Sequence, residues 1–271
     1  MTILVTFDVD GTLIRSVGPG ANALHKSAFA AACARCFQIH TDIDRIEHHG
    51  GTDPLILMKL LVCAHGISAA DARAMLPRLQ QEMIAYYACS AAPNSCDGLE
   101  VLPGVSGLLN SLQQRGDSVT CLVTGNLEPI AWHKMAAVNL KGSFSCPLFG
   151  GFGSDFCSGN FDEMWRDRAE FIRIARTKAD CILSEQQRPS VSRCYHVGDT
   201  PNDIRAAADA GAAAIGVCTG MFSRQQLQDV LDSCSCPGVV LDDLSNLRDS
   251  LAALGIQAPP ALAAEQATSS P

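Results

Sequence analysis

The chain has 271 residues, 47 % of them hydrophobic and 18 % charged, with a formal net charge of −8. That apolar content excludes global disorder, and an acidic balance without a block of Lys or Arg argues against a nucleic-acid or anionic-membrane partner. Thirteen cysteines are scattered along it, with no secretory signal and no apolar run of membrane-spanning length, so the expectation is a cytoplasmic protein whose cysteines are small, reduced core residues.

Ile3 to Phe7 form a short β-branched run that reads as a buried strand. It ends on Asp8-Val9-Asp10-Gly11-Thr12. Two acids at the end of a buried strand either cap a turn, with Gly11 at positive φ, or belong to a ligand site at the carboxyl edge of an open sheet.

Residues 21–37 are Ala-rich and read as a helix. Within it, Cys33-Ala-Arg-Cys36 has redox-motif spacing and His40, His48 and His49 nearby, but no second Cys pair stands at zinc-site spacing. Gly50-Gly51-Thr52-Asp53-Pro54 provides a flexible pair, an N-cap and an early proline for a helix through about residue 63, stopped by Gly66. Ser68 opens a further helical stretch, which Pro77 should kink or divide.

A different rhythm begins at Pro103-Gly104. A helix closed by Gly116 precedes a strand from Ser118 to Val123, ending on Thr124-Gly125-Asn126. A helix at about 128–138, a strand at about 144–149 and the Gly150–Gly153 loop follow. Residues 154–164 read as an irregular acidic loop before a helix at about 166–180. Strand residues Cys194 to Val197 lead into Gly198-Asp199-Thr200-Pro201-Asn202-Asp203. Strands at 212–217 and 238–241, with a helix near 223–232 between them, complete the pattern.

Strands alternating with helices imply an α/β fold with a doubly wound parallel sheet. The helical block at 16–100 reads as an inserted domain, 1–15 with 101–256 as the core, and 257–271 as a disordered tail. In such a sheet the polar strand ends converge on one edge. The carboxylates there suit Mg²⁺, while a hydroxyl and helix N-terminal amides suit a phosphate.

Asp8–Thr12, Leu122–Asn126 and Gly198–Asp203 resemble, in order and spacing, three motifs of the haloacid dehalogenase superfamily. The insertion resembles its helical cap. Pro103-Gly104-Val105 and Gly51-Thr52-Asp53 resemble the phosphoglycolate phosphatase-like group. This resemblance implies Asp8 as nucleophile and Asp10 as general acid and base. It implies Mg²⁺ held by Asp8, the Asp10 carbonyl and Asp199, with Asp203 in support, and a phosphoryl group held by Thr124, Gly125 and Asn126. The usual Lys-Pro is absent. Arg168 is the expected cation beside the nucleophile, Arg166 its rival, and Lys178 lies too late in the helix.

The implied reaction is hydrolysis of a small phosphoester. Asp10 argues against a dehalogenase or phosphonate hydrolase, neither of which needs a second aspartate there; Lys26 and Lys59 read as surface residues. A phosphomutase, or a silent binding module on the same fold, remains as an alternative. Thr52, Asp53 and Arg45 are the candidate substrate contacts of the insertion, although Asp53 also reads as a mere helix cap.

Overall fold

The computed structural model describes residues 1–18, 20, 22–90 and 98–257. The elements are, in chain order, β1 (Thr2–Phe7), β2 (Ile14–Ser16), α1 (Ala23–Phe37), α2 (Asp53–Lys59), α3 (Ala69–Ser90), β3 (Leu99–Val101), α4 (Val105–Gln113) and β4 (Ser118–Thr124). They continue with α5 (Glu128–Ala137), β5 (Gly150–Phe152), α6 (Trp165–Glu185), β6 (Val191–Gly198), α7 (Pro201–Asp209), β7 (Ala213–Val217), α8 (Arg224–Cys234), β8 (Gly238–Leu241) and α9 (Leu247–Ala253). Six strands form one parallel sheet in the order β5-β4-β1-β6-β7-β8.

All six residues of β1 are buried. Because side chains alternate across a strand, Ile3, Val5 and Phe7 enter the core beneath α4, α5 and α9, whereas Leu4 enters the opposite core with α6, α7 and α8. Each face of the sheet therefore has its own helical layer. This is the doubly wound α/β arrangement, and it places the ends of β1, β4, β5 and β6 side by side.

Between β2 and β3, helices α1–α3 pack around a separate core that includes Phe29, Leu57, Leu60 and Leu79 and receives Leu127 and Ile130 from the start of α5. The two short antiparallel strands β2 and β3 carry the chain out of the sheet domain and back. Neither strand was legible in the sequence, nor was α9. The segment 91–97 and the expected tail, from 258 onward, lie outside the described residues.

Three expectations need correction. Pro77 does not divide its helix: α3 runs unbroken from Ala69 to Ser90, with Leu76, Leu79, Met83 and Tyr87 anchored in the core on both sides of the proline. The strand expected at 144–149 is instead Gly150–Phe152, as Pro147 has no amide to give a ladder. The helix after Asp53 is regular only to Lys59 and widens into a π-turn over Leu60–Ala64.

Candidate active site

β1 delivers Asp8 and Asp10 to the carboxyl edge of the sheet. The Asp8 amide continues the ladder by donating to the Val197 carbonyl at 2.9 Å, and Gly11, at φ +89°, then turns the chain back. A side chain at Gly11 would stand 2.4 Å from an Asp199 oxygen, so glycine lets the two acidic loops meet.

Asp8 is buried, and Arg168 Nη1 lies 2.8 Å from its Oδ1 and 3.1 Å from Asp203 Oδ1. Burial pushes the Asp8 carboxyl up and Arg168 pulls it down; with Asp203 and Asp10 adding negative charge, the net direction is upward. Arg168 is itself buried, held charged against burial by Asp203 and Asp8. Its Nε and the Oδ1 of Asn126 are the buried side-chain polar atoms without a partner among the described residues.

Arg166, two residues earlier, points the other way, because two residues turn a helix by about 200°. It is exposed, pairs with Glu163 at 2.8 Å and lies over the Trp165 ring. Between them, buried Asp167 accepts from the Ser158 amide at 3.1 Å, fixing the helix start and the preceding loop. Lys178 donates to the Gly150 carbonyl and pairs with Asp155, away from Asp8.

Asp8, Asp199 and Asp203 have oxygens within 4.8 Å of one another, the one cluster of metal-ligating residues among the described residues. Asp203 has the fewest free lone pairs. Its Oδ2 accepts from the amide and hydroxyl of Thr200, and its Oδ1 faces His196 Nε2 at 3.1 Å as well as Arg168. Arg168, His196 and Thr200 overcome burial and hold Asp203 far below the ordinary carboxylate range. Among the described residues Asp199 has one hydrogen-bond partner, the Thr12 hydroxyl, and it is pushed well up by burial and then by the charges of Asp203 and Asp8. Three carboxylates facing one guanidinium leave an excess of negative charge that a divalent cation would balance, so the donor set fits Mg²⁺.

β4 ends on buried Thr124, whose Oγ1 accepts from the Asn126 amide at 3.3 Å. Gly125 permits contact with the insertion: a methyl there would stand 2.6 Å from the Gly51 carbonyl oxygen. Asn126 Nδ2 donates to Asp10 Oδ2 at 3.0 Å.

Lys134 on α5 was not recognised from sequence. Its Nζ lies 2.8 and 2.7 Å from the two oxygens of Asp10 and 3.2 Å from His25 Nδ1. Burial raises Asp10, but the charge of Lys134 and the bonds from Lys134 and Asn126 outweigh it, leaving Asp10 below its ordinary value. The sequence held a signal: Lys134 follows Ile130 and Ala131 by four and three positions, on the apolar face of its helix. His25 and His196 were also missed, because each stands in an element that carries other polar residues and belongs to no motif.

In the insertion Thr52 is fully buried and caps α2, its hydroxyl accepting from the Leu55 amide. Asp53 is the first helical residue, not the cap. Its Oδ2 accepts from the Leu127 amide at 2.9 Å and lies 3.2 Å from His25 Nε2. Arg45 is exposed, Lys26 pairs with Asp44, and Lys59 donates to the Glu47 carbonyl. A cavity of about 470 Å³ lies between the insertion and the sheet edge; Asp8, Asp10, Thr124 and Arg168 line its floor, His25 and Asp53 its opposite wall.

Residues 4–211 match the family model for haloacid dehalogenase-like hydrolases. The chain belongs to that family. Among solved structures, this haloacid dehalogenase-like hydrolase is similar to a hydrolase from Pseudomonas syringae (20 % identity, 95 % of this chain and 100 % of that one, TM-score 0.58). It is also similar to a predicted phosphoglycolate phosphatase from Haemophilus somnus 129pt (18 %, 91 % and 96 %, 0.53) and to CbbY from Rhodobacter sphaeroides, solved with phosphate (18 %, 91 % and 96 %, 0.54). At such identities the likeness is one of fold. No curated protein matches the sequence significantly.

Proposed function

We propose that this hydrolase is a Mg²⁺-dependent phosphatase of a small phosphorylated metabolite, phosphoglycolate-like in size, working through an aspartyl-phosphate on Asp8. The observation that carries the reading is the convergence of Asp8 with Arg168, and of Asp10 with Thr124 and Asn126, on one covered cavity.

Asp8 attacks phosphorus, the ester P–O bond breaks, and the leaving oxygen takes a proton from Asp10. Asp10, then ionised, removes a proton from water; the water oxygen attacks phosphorus, the bond to Asp8 breaks, and inorganic phosphate leaves. Thr124 Oγ and the amides after it receive the phosphoryl oxygens. Arg168 holds Asp8 in place and offsets negative charge as two anions approach. Asp8, the Asp10 carbonyl and Asp199 would hold Mg²⁺, supported by Asp203; the ion would supply charge neutralisation at the phosphoryl group. A phosphomonoester entering as its monoanion can supply the proton that Asp10 needs, since the lysine keeps Asp10 ionised in the free protein.

We take residues 1–15 and 101–256 as the catalytic core and 16–100 as a cap that closes over it. Thirteen cysteines suit a reducing compartment, the cytoplasm. The test is phosphate release from a panel of phosphorylated metabolites with Mg²⁺, using Asp8→Asn as control. Wild type that is no more active than Asp8→Asn across the panel rejects the enzyme reading; conversion of a hexose 1-phosphate into its 6-phosphate without net release would make it a mutase.

A further inference from the structure

Lys134 touches no reacting atom in the proposed reaction, yet it is bonded to the general acid Asp10. It is almost wholly buried, although it carries a charge that water would solvate better. All three of its donors are directed: two at Asp10, at 2.8 and 2.7 Å, and one at His25 Nδ1, at 3.2 Å. Accepting at Nδ1 leaves His25 Nε2 to donate to Asp53 Oδ2, which in turn receives the Leu127 amide. The His25 ring is held flat by Phe29, 5.3 Å away and stacked, and edge-on by Tyr87. Asp10, Lys134 and Leu127 belong to the sheet domain, whereas His25 and Asp53 belong to the insertion. One hydrogen-bonded chain thus joins the floor of the cavity to its cover through the buried Lys134.

Structural support alone is a poor explanation for this lysine. A methionine would fill the same volume without the desolvation cost, and buried ion pairs are often no more stable than their apolar replacements. Asp10, by contrast, has a demanding geometric task. Its carboxyl must face the ester oxygen, yet it stands on a turn and is partly open to the cavity. Two bonds from Lys134 and one from Asn126 leave that carboxyl little rotational freedom.

We propose that Lys134 is a positioning residue for Asp10, and that its bond to His25 makes this placement depend on the insertion being seated. The inference rests on the phosphatase reading and predicts a leaving-group signature. An alkoxide leaving group needs the Asp10 proton, whereas p-nitrophenolate departs without one. Loss of Asp10 placement should therefore penalise alkyl phosphates selectively.

The experiment measures kcat/KM of the Mg²⁺-loaded full chain for glycerol phosphate and p-nitrophenyl phosphate, since kcat/KM reports the step in which the leaving group departs. Lys134→Met should lower the glycerol phosphate value about 100-fold and the aryl value less than about 5-fold. His25→Phe, which keeps the ring stack and loses the nitrogens, should show the same selectivity at about 10-fold. Lys134→Met added to Asp10→Asn should cause no further loss, since both remove one function. Equal losses on both substrates, or additive losses in the double variant, would overturn the assignment. If Lys134→Met does not fold, Lys134→Gln and His25→Phe carry the same comparison, and absence of selectivity in both rejects it. Failure of the phosphatase reading is seen separately, as wild type no more active than Asp8→Asn.

Discussion

Arg168 Nη1 sits 2.8 Å from Asp8 Oδ1, with both side chains closed off from solvent. A helix start and a strand end separated by 160 positions thus share one ion pair. Asp203 Oδ1 lies 3.1 Å from the same nitrogen, so among the described residues the guanidinium is the only Arg or Lys group paired with the acidic cluster. Removing it leaves buried carboxylates unpaired. Arg168→Ala is expected to cost about 3 kcal/mol of stability and about 100-fold in turnover, whereas Arg166→Ala, which breaks an exposed pair, should change stability by less than about 0.5 kcal/mol. Thermal melts and phosphate release on both variants check this; an inert Arg166→Ala with an active Arg168→Ala would reverse the assignment.

Asp199 supplies a pH dependence. Its pKa in the folded metal-free protein is raised by burial and by Asp203 and Asp8, so the folded state binds its proton more tightly than the unfolded chain does. In the window from its ordinary value, about 4, up to the raised folded value, its contribution to stability falls as pH rises. Asp203 runs the other way: held low, it contributes above its ordinary value and loses that contribution as pH falls. Because a proton and a divalent cation compete for Asp199, Mg²⁺ should raise the melting temperature more at alkaline than at mildly acidic pH. An increment that does not depend on pH would count against Asp199 as a ligand.

Chelation tests the same residues in another way. EDTA should abolish phosphate release and Mg²⁺ should restore it, while Asp199→Asn should both weaken the dependence of melting temperature on Mg²⁺ and reduce activity about 100-fold. Full activity in EDTA would remove the metal from the mechanism.

Gly125 marks where the insertion rests on the turn that follows β4. Its alanine variant would press a methyl against the Gly51 carbonyl and Thr52 Cα, both backbone atoms that cannot swing aside. Gly125→Ala should therefore lift the insertion, seen as faster limited proteolysis between residues 16 and 100 and as weaker substrate binding. Unchanged proteolysis and KM would mean that the contact is easily relieved.

The thiols should divide by burial. Cys63, Cys89, Cys146 and Cys181 are exposed, while burial pushes Cys33 and Cys194 up to about 12 and holds Cys121 well above the ordinary range. Mapped labelling with a thiol reagent near neutral pH should modify the exposed four well before the buried three. Early labelling of Cys33 would instead revive a reactive role for the Cys33–Cys36 pair.

The sequence by itself determined the layered α/β fold and the three strand ends, of β1, β4 and β6, that meet at the cavity. Both follow from local rules: a buried parallel strand must be a short apolar run, and polar residues at its carboxyl end can only face the sheet edge. Asp8, Asp10, Thr124 and Asp199 were legible for that reason. Tertiary structure alone decided which arginine faces Asp8, since Arg166 and Arg168 differ only by a helical rotation that the Asp167–Ser158 bond sets. It also decided that both oxygens of Asp203 are already engaged, and that Lys134 and His25 bridge Asp10 to the insertion. Helical periodicity can mark a lysine as facing inward, but the partner that justifies burying its charge lies 124 residues away, where only packing brings it.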